Sequence, residues 1–279
     1  MTSSDDQLAI ASAIESALLG GPMVVVATVT ATGEPPLLPL GAKLMVTREG
    51  DRTGSLGLPA LDDAAAATAE ELYTAFPRIA VETLYVGADG RTTTRRHESR
   101  PGDAELMLQL WEAPARLVIV GGGHIGLALA TFGEQLGFAV TVIDDREDFA
   151  SRERFPMAED VRAGDIGAHL DAIELDPTTH VVLVSRGHQQ DEMALRHSVG
   201  RGAAFVGMIG SRRRTATVRR HLLDDGYDPA DLDQVSTPIG LDIGAETPEE
   251  IAISILAEII MLRRGGTGAR MRDGRPHLE

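Results

Sequence analysis

The feature that most restricts the fold of this chain begins at Arg116. From there, continuous apolar runs alternate with helical segments: RLVIVGG, a helix from about His124 to Leu136, AVTVID, a short strand near Asp160 and a helix, HVVLVSR and a helix, AAFVGMIG and a helix. Strands that are apolar at every position suit a sheet buried on both faces, and their alternation with helices suits parallel pairing through helical crossovers. The expected class is α/β, a Rossmann-like, doubly wound parallel sheet. The residues before it read as a smaller α+β domain. An opening helix would use Leu8, Ile14 and Leu18 as its apolar face, a second helix spans about Ala60 to Phe76, and MVVVATVT, AKLMVT, IAVETLYV and ELMLQLW are β-rich runs between Gly, Pro and Asp turns. The small and proline-bearing stretch EAPAR (112–116) marks the boundary, giving domains over 1–113 and 114–264 and a flexible Gly- and Arg-rich tail over 265–279. Thr247, Pro248 and Glu250 announce the last helix with a capping box and a first-turn proline.

Charge narrows the partners. Of the 279 residues, 26 are basic and 42 acidic, a net charge of −16 divided evenly: 8 basic against 16 acidic residues before Pro114, and 18 against 26 from it on. A bulk nucleic-acid binder needs a positive stripe to displace counterions, so DNA and RNA are not expected as partners. There is no cysteine, which removes disulfides, zinc–thiolate sites and thiol nucleophiles. Met1 to Asp6 lacks the basic start and apolar core of a signal peptide, and the longest lipid-like stretch, Ile251 to Leu262, is short and holds Glu258. No membrane association and a cytoplasmic location are the expectation.

The clearest chemical signal is G-x-G-x-x-G at Gly121, Gly123 and Gly126, with Gly122 between the first two, directly after an apolar strand and opening a helix. Such glycines permit a tight turn, close approach of a pyrophosphate and close helix packing, while free N–H groups at the helix start attract the anion. Asp144 ends the next strand, 21 residues beyond Gly123, where a carboxylate can accept from a ribose diol. Further turns fall at carboxyl ends of predicted strands: Ser185-Arg186-Gly187-His188, and Gly207 to Gly210 with Ser211. Ser211 is placed to cap the next helix, and Arg212, Arg213 and Arg214 follow in its first turn, where positive charge opposes the helix dipole. Arg219 and Arg220 recur seven residues after Arg212 and Arg213. The functional reading is an anion pocket for phosphate or molybdate-like oxygens; the plain one is a solvated helix face paired with carboxylates. His124, His188 and Asp191 are the candidates for proton transfer, against the commoner structural role of a histidine at a helix start. The other histidines show no metal-ligand spacing, and no metal site is expected. No Gly-x-Ser-x-Gly elbow and no Walker lysine is present, Lys43 being the only lysine.

Four segments taken in order, RLVIVGGGHIG, LVSRGHQQDEMALR, FVGMIGSRRR and STPIGLDIGAETPEEIAISILAE, closely resemble the second domain of the XdhC and CoxI family, accessory factors of xanthine dehydrogenase and related molybdenum hydroxylases. The stretch GEPPLLPLGAKLMVTREGDRTGSLG is similar to the family's first domain. Many members continue that turn with Gly-Gly-Cys and an acidic residue, whereas this chain has Gly57-Leu58-Pro59-Ala60-Leu61-Asp62, so no role of that thiol carries over. The resemblance implies a cofactor carrier or chaperone rather than an enzyme. Its cargo would be the molybdenum cofactor, as molybdopterin or molybdopterin cytosine dinucleotide, protected during sulfuration and delivered to a xanthine dehydrogenase-type hydroxylase, with a cysteine desulfurase as a further partner and a homodimer as the default assembly. On that reading Gly121, Gly123, Gly126 and Asp144 hold nucleotide, His124 and His188 lie near the reactive end, and Arg186 with Gly210, Ser211 and Arg212 to Arg214 meets anionic groups. Two alternatives stay open: an NAD-dependent oxidoreductase with His188 as acid or base, and a ligand-free interaction protein on the same fold.

Overall fold

A computed structural model describes residues 3–34, 36, 38–75 and 78–273. The chain divides into two compact units, Met1–Ala113 and Pro114–Glu279. Among the described residues, no helix is long and apolar enough to cross a membrane.

In the first unit, α1 (Ser4–Leu18), β1 (Val24–Ala31), β2 (Lys43–Thr47), β3 (Arg52–Gly54), α2 (Pro59–Thr74), β4 (Val81–Val86), β5 (Thr92–Thr93) and β6 (Ala104–Trp111) form an antiparallel sheet in the order β3-β2-β1-β6-β4-β5. Alternate side chains of β1 go to opposite faces: Val25, Ala27 and Val29 pack with Leu61, Ala65, Ala69 and Leu72 of α2, while Val24 and Val26 pack with Ile10 and Ala17 of α1. Of the three residues expected to form the apolar face of the opening helix, only Ile14 turns inward. Leu8 and Leu18 are 70% and 45% exposed, and the buried set is Ile10, Ala13, Ile14 and Ala17, whose i, i+3, i+4, i+7 spacing makes one stripe. Ser3 closes its start through a capping box with Asp6. In the segment Gly57–Asp62, Asp62 accepts hydrogen bonds from Ser55 Oγ (2.7 Å) and Leu56 N (2.8 Å), tying α2 to the preceding loop.

Tyr73 of α2 links three segments of this unit. Its hydroxyl accepts from Val25 N at 2.9 Å and donates to Val46 O at 2.7 Å, with the residue 6% exposed. Burial pushes the phenol up to about 12. An unfolded tyrosine ionises near pH 10. Between those values the unfolded chain binds fewer protons, so the contribution of Tyr73 is present below about pH 10 and is lost as pH rises towards 12. Tyr73→Phe leaves a buried amide and carbonyl short of a partner and is expected to cost about 1–3 kcal/mol, read as a lower urea midpoint, and to remove that alkaline slope.

The second unit contains β7 (Arg116–Val120), α3 (His124–Gln135), β8 (Ala139–Asp144), β9 (Asp160–Ala163), α4 (Ile166–Asp171), β10 (Thr179–Leu183), α5 (His188–Arg196), β11 (Phe205–Met208), α6 (Arg212–Asp224), α7 (Pro229–Asp233) and α8 (Pro248–Arg264). Its five strands are all parallel, in the order β11-β10-β7-β8-β9. The middle of β7, β8 and β10 is largely apolar because both faces are covered, whereas the edge strand β9, with Asp160 and Arg162, is half-buried. Leu117, Ile119, Val140, Val142 and Val182 meet α3 and α8; Val118, Val120, Ile143, Val181 and Leu183 meet α4, α5 and α6. The fold is therefore α/β with a Rossmann-like, doubly wound sheet in the C-terminal half and a smaller N-terminal part. The chain leaves β7 towards β8 on one side and returns to β10 on the other, so β7 and β10 flank the point where connections reverse.

Residues 236–239 run along the outer edge of β11. Ser236 N donates to Val206 O and Met208 N to Ser236 O, protecting an otherwise open sheet edge. Gly240 N then donates to Glu258 Oε2 of α8 at 2.6 Å, and Ser254 Oγ to Leu241 O at 2.6 Å. The conspicuous STPIGLDIGAETPEE segment is thus a brace between β11 and α8. Thr247 and Glu250 form the capping box that starts α8, and Gly265, at φ +62°, ends it. Met271–Asp273 forms a short 3-10 turn; the remainder of the expected tail, 274–279, lies outside the described residues.

Candidate functional site

Parallel pairing brings the ends of four strands to one edge of the sheet. The hydrogen-bond ladder continues beyond the strands, with Gly121 N donating to Ile143 O, Val184 N to Val120 O and Ile209 N to Leu183 O, so the loops after β7, β8, β10 and β11 lie side by side. A cleft of about 190 Å³ opens there, lined by Gly121, Asp144, Asp145, Arg146, Ile166, Ser185, Arg186, Gly187 and Gln190. A second hollow of about 370 Å³ shares Asp145, Ile166 and Gln190 with it and extends to Gly164, Asp165 and Met193. The cleft brings together Gly121, Asp144 and Arg186 of the expected residues.

The glycines of the turn are not equivalent. Gly121 adopts φ +119°, and a Cβ there would lie 2.7 Å from the Val184 carbonyl. At Gly122 a Cβ would stand 1.8 Å from Phe149 O, and at Gly126 1.9 Å from Gly121 O. At Gly123, the N-cap of α3, a Cβ would meet nothing within 4 Å. Three glycines are therefore demanded by the protein's own backbone, and only Gly123 faces open space. No side chain caps α3 and its first turn holds no acidic residue, which leaves the positive end of the helix unopposed. His124 is exposed at the first helical position.

Asp144 does not stand free for a ribose diol. It is 3% exposed, and both oxygens are taken up: Oδ2 accepts from Gly122 N (2.8 Å) and Arg146 Nη2 (3.0 Å), Oδ1 from Arg146 N (3.0 Å) and Nε (2.9 Å). A carboxylate offers about four acceptor positions, and all four are filled from within the chain. Burial alone would raise its pKa, but the hydrogen bonds from Arg146 and Gly122 outweigh it and hold the carboxyl below its ordinary value. The reading of Asp144 as a sugar-binding group is corrected accordingly.

The cationic cluster also differs from the one expected. The Arg146 guanidinium lies 3.6 Å from the centroid of the Phe149 ring, Arg186 5.2 Å and Arg154 5.4 Å from it. Arg154 Nε also donates to Gly122 O at 2.9 Å, so this cluster abuts the glycine turn. Among the described residues no carboxylate pairs with Arg154 or Arg186, so only the charge of Arg146 is offset. Sequence reasoning found Arg186 and missed Arg146, Phe149 and Arg154, which lie between β8 and β9 in and around a single 3-10 turn, Glu147–Phe149, too short to show a periodicity.

The arginines after Ser211 turn largely inward. Ser211 caps α6, its Oγ accepting from Arg214 N at 3.3 Å, while Arg214 Nη2 pairs with Asp191 Oδ2 at 2.5 Å and Arg219 pairs with Asp233. Arg213 is exposed, and the side chains of Arg212 and His188 lie outside the described residues. Successive helical residues diverge by about 100°, so three consecutive arginines cannot face one ligand. The plain reading of a face paired with carboxylates holds for Arg214 and Arg219. Asp191 is 0% exposed and also accepts from Ser185 Oγ; it joins the β10 loop to α6 and does not line the cleft, which removes it as a proton donor to a ligand there. Gly210 is half-buried beside Arg214. Among the described residues no group of three metal-ligating side chains occurs.

The family model described as the XdhC Rossmann domain matches residues 117–259, and that of the XdhC and CoxI family matches residues 18–82. The chain belongs to the XdhC family. It is 34% identical over 157 residues to the uncharacterized protein YqeB of Escherichia coli K12, a match covering 56% of this chain and 29% of that protein. It is 30% identical over 159 residues to a probable xanthine dehydrogenase subunit of Bacillus subtilis, covering 57% and 46%. The matched region spans less than half the length of either curated relative. A solved structure described as a xanthine dehydrogenase from Bacillus halodurans shares the fold, with a TM-score of 0.52 and 20% identity over 98% of each chain. The matched XdhC Rossmann region contains both the open turn at Gly123 and the arginine cluster on Phe149.

Proposed function

We propose that this XdhC-family chain is an accessory factor that binds the molybdenum cofactor at the rim of its C-terminal sheet, protects it during sulfuration and hands it to a xanthine dehydrogenase-type molybdenum hydroxylase. The observation that carries the reading is the stacking of three guanidinium groups on Phe149 beside the one glycine of the turn whose Cβ position is open. Family membership and the likeness to the Bacillus subtilis xanthine dehydrogenase relative support the client class.

The cofactor is cargo, and the chain's own residues act by binding it. The uncapped start of α3 offers amide hydrogens to a phosphate, Gly123 leaves room for close approach, and Arg154 and Arg186 supply unbalanced positive charge. With both oxygens of Asp144 filled, recognition falls on phosphate rather than on sugar hydroxyls. The 279 residues contain no cysteine, so no thiol of this chain relays sulfur; a cysteine desulfurase acts on cofactor that the rim presents. An acid–base step by His124 has no partner in the geometry, and carriage requires none.

Isolation from a host that makes the cofactor, followed by measurement of molybdenum and pterin released on denaturation, tests the proposal. Enrichment of both is expected. Arg186→Ala and Arg154→Ala should each lower affinity for added cofactor about tenfold, the loss of one charge-assisted hydrogen bond. No enrichment, together with no tight binding of added cofactor, overturns the reading.

A further inference from the structure

We propose that Arg146 determines the specificity of this rim: by filling the acceptor positions of Asp144, it converts a place where Rossmann-type sites grip a ribose diol into one that selects ligands by their phosphate groups. The inference rests on the rim being the ligand site, as proposed above, but not on the identity of the cargo.

Asp144 occupies the end of the second strand of the parallel unit, where a free carboxylate recognises an unsubstituted sugar diol. Here one residue contributes three of the four hydrogen bonds to that carboxylate, two from the guanidinium and one from its own amide. The same guanidinium is stacked at 3.6 Å on Phe149 and stands 3.8 Å from Asp145. It is thus held from three directions on the cleft wall. A diol approaching Asp144 would have to break a bidentate ion pair in a site where the carboxylate is almost wholly buried. A phosphate faces no such exchange, because Arg154 and Arg186 remain available on the same ring. The class of ligand is a phosphomonoester or pyrophosphate whose recognition does not depend on a free vicinal diol.

Removing the guanidinium should create a diol site. The full-length protein, Arg146→Ala and the double variant Asp144→Asn/Arg146→Ala are titrated by calorimetry with NADH, as the diol-bearing probe, and with inorganic pyrophosphate. Arg146→Ala is expected to bind NADH about tenfold more tightly than the unaltered protein, through hydrogen bonds to an uncovered carboxylate, while its affinity for pyrophosphate falls. The double variant should return NADH binding to the starting level. Unchanged NADH affinity in folded Arg146→Ala overturns the inference. So does a gain that survives Asp144→Asn, or one accompanied by tighter pyrophosphate binding. Should the alanine variant not fold, Arg146→Gln carries the same comparison with a smaller gain. Absence of molybdenum and pterin from the isolated protein, together with no tight binding of added cofactor, would end the carrier reading and leave this result standing, so the two failures are distinguishable.

Discussion

Gly122→Ala and Gly126→Ala are each expected to destabilise the C-terminal unit by about 3 kcal/mol, whereas Gly123→Ala changes its stability by about 1 kcal/mol or less. The difference arises from what the new methyl meets. At Gly122 and Gly126 it would overlap a carbonyl oxygen, of Phe149 and of Gly121, at 1.8 and 1.9 Å, and neither backbone can withdraw without opening the turn. At Gly126 the better helix propensity of alanine, about 1 kcal/mol, offsets only part of the clash. At Gly123 the methyl enters open space, and the cost is the poorer capping of α3 by alanine. Urea denaturation of the three variants should give two low midpoints and one near the parent, with slopes unchanged. Cofactor retention should sort them otherwise: Gly123→Val, folded and stable, should hold less pterin. A Gly123→Ala protein as unstable as the other two would contradict the assignment of its open side to a ligand.

Breaking the Asp191–Arg214 pair is the second large effect. Asp191 is wholly buried, while the Arg214 side chain is 20% exposed, so the consequences are unequal. Asp191→Ala leaves a guanidinium that reaches some water, and removes the acceptor of Ser185 Oγ; a cost of about 3 kcal/mol is expected. Arg214→Ala takes the guanidinium away from a wholly buried carboxylate and should cost more, up to about 5 kcal/mol. The double variant should be less destabilised than the two singles combined, since both singles lose the same ion pair. A denaturant-melt cycle measures this, and strict additivity would mean that the pair does not hold α5 to α6. Because Ser185 lines the cleft, the same variants should loosen the β10 loop and weaken anion binding without touching the glycine turn.

The parts legible in the sequence were those with a local signature. Alternating apolar strands gave the parallel sheet, the glycine spacing placed the turn after β7, and Thr247 with Glu250 marked the start of α8. Long-range partners were not legible. Nothing local says that Asp144 is filled by Arg146, since an i to i+2 ion pair depends on a bend beyond the strand end, or that Arg214 reaches back 23 residues to Asp191. Arg212 to Arg214 attracted notice as a run, yet a helix distributes neighbouring side chains around its axis, and Arg214 falls on the inner side. The ring that collects Arg146, Arg154 and Arg186 lies in a three-residue 3-10 turn, too short for a period of 2 or of 3.6 to be read. In α1, Leu8 and Leu18 lie off the stripe of Ile10, Ala13, Ile14 and Ala17, and the two alanines that complete that stripe carry only a weak apolar signal.

The way the glycine turn is fastened governs how anything held there would depart. Gly122 N is anchored on Asp144, Gly122 O on Arg154, Gly126 is seated against the Gly121 carbonyl, and α3 behind them is packed on α8. The floor is thus tied by hydrogen bonds and packing, and the side chains with rotamer freedom above it are the arginines with no carboxylate partner among the described residues, Arg154 and Arg186. On the proposed carrier reading, unloading would exchange those arginine arms for groups on the recipient and leave the peptide frame in place.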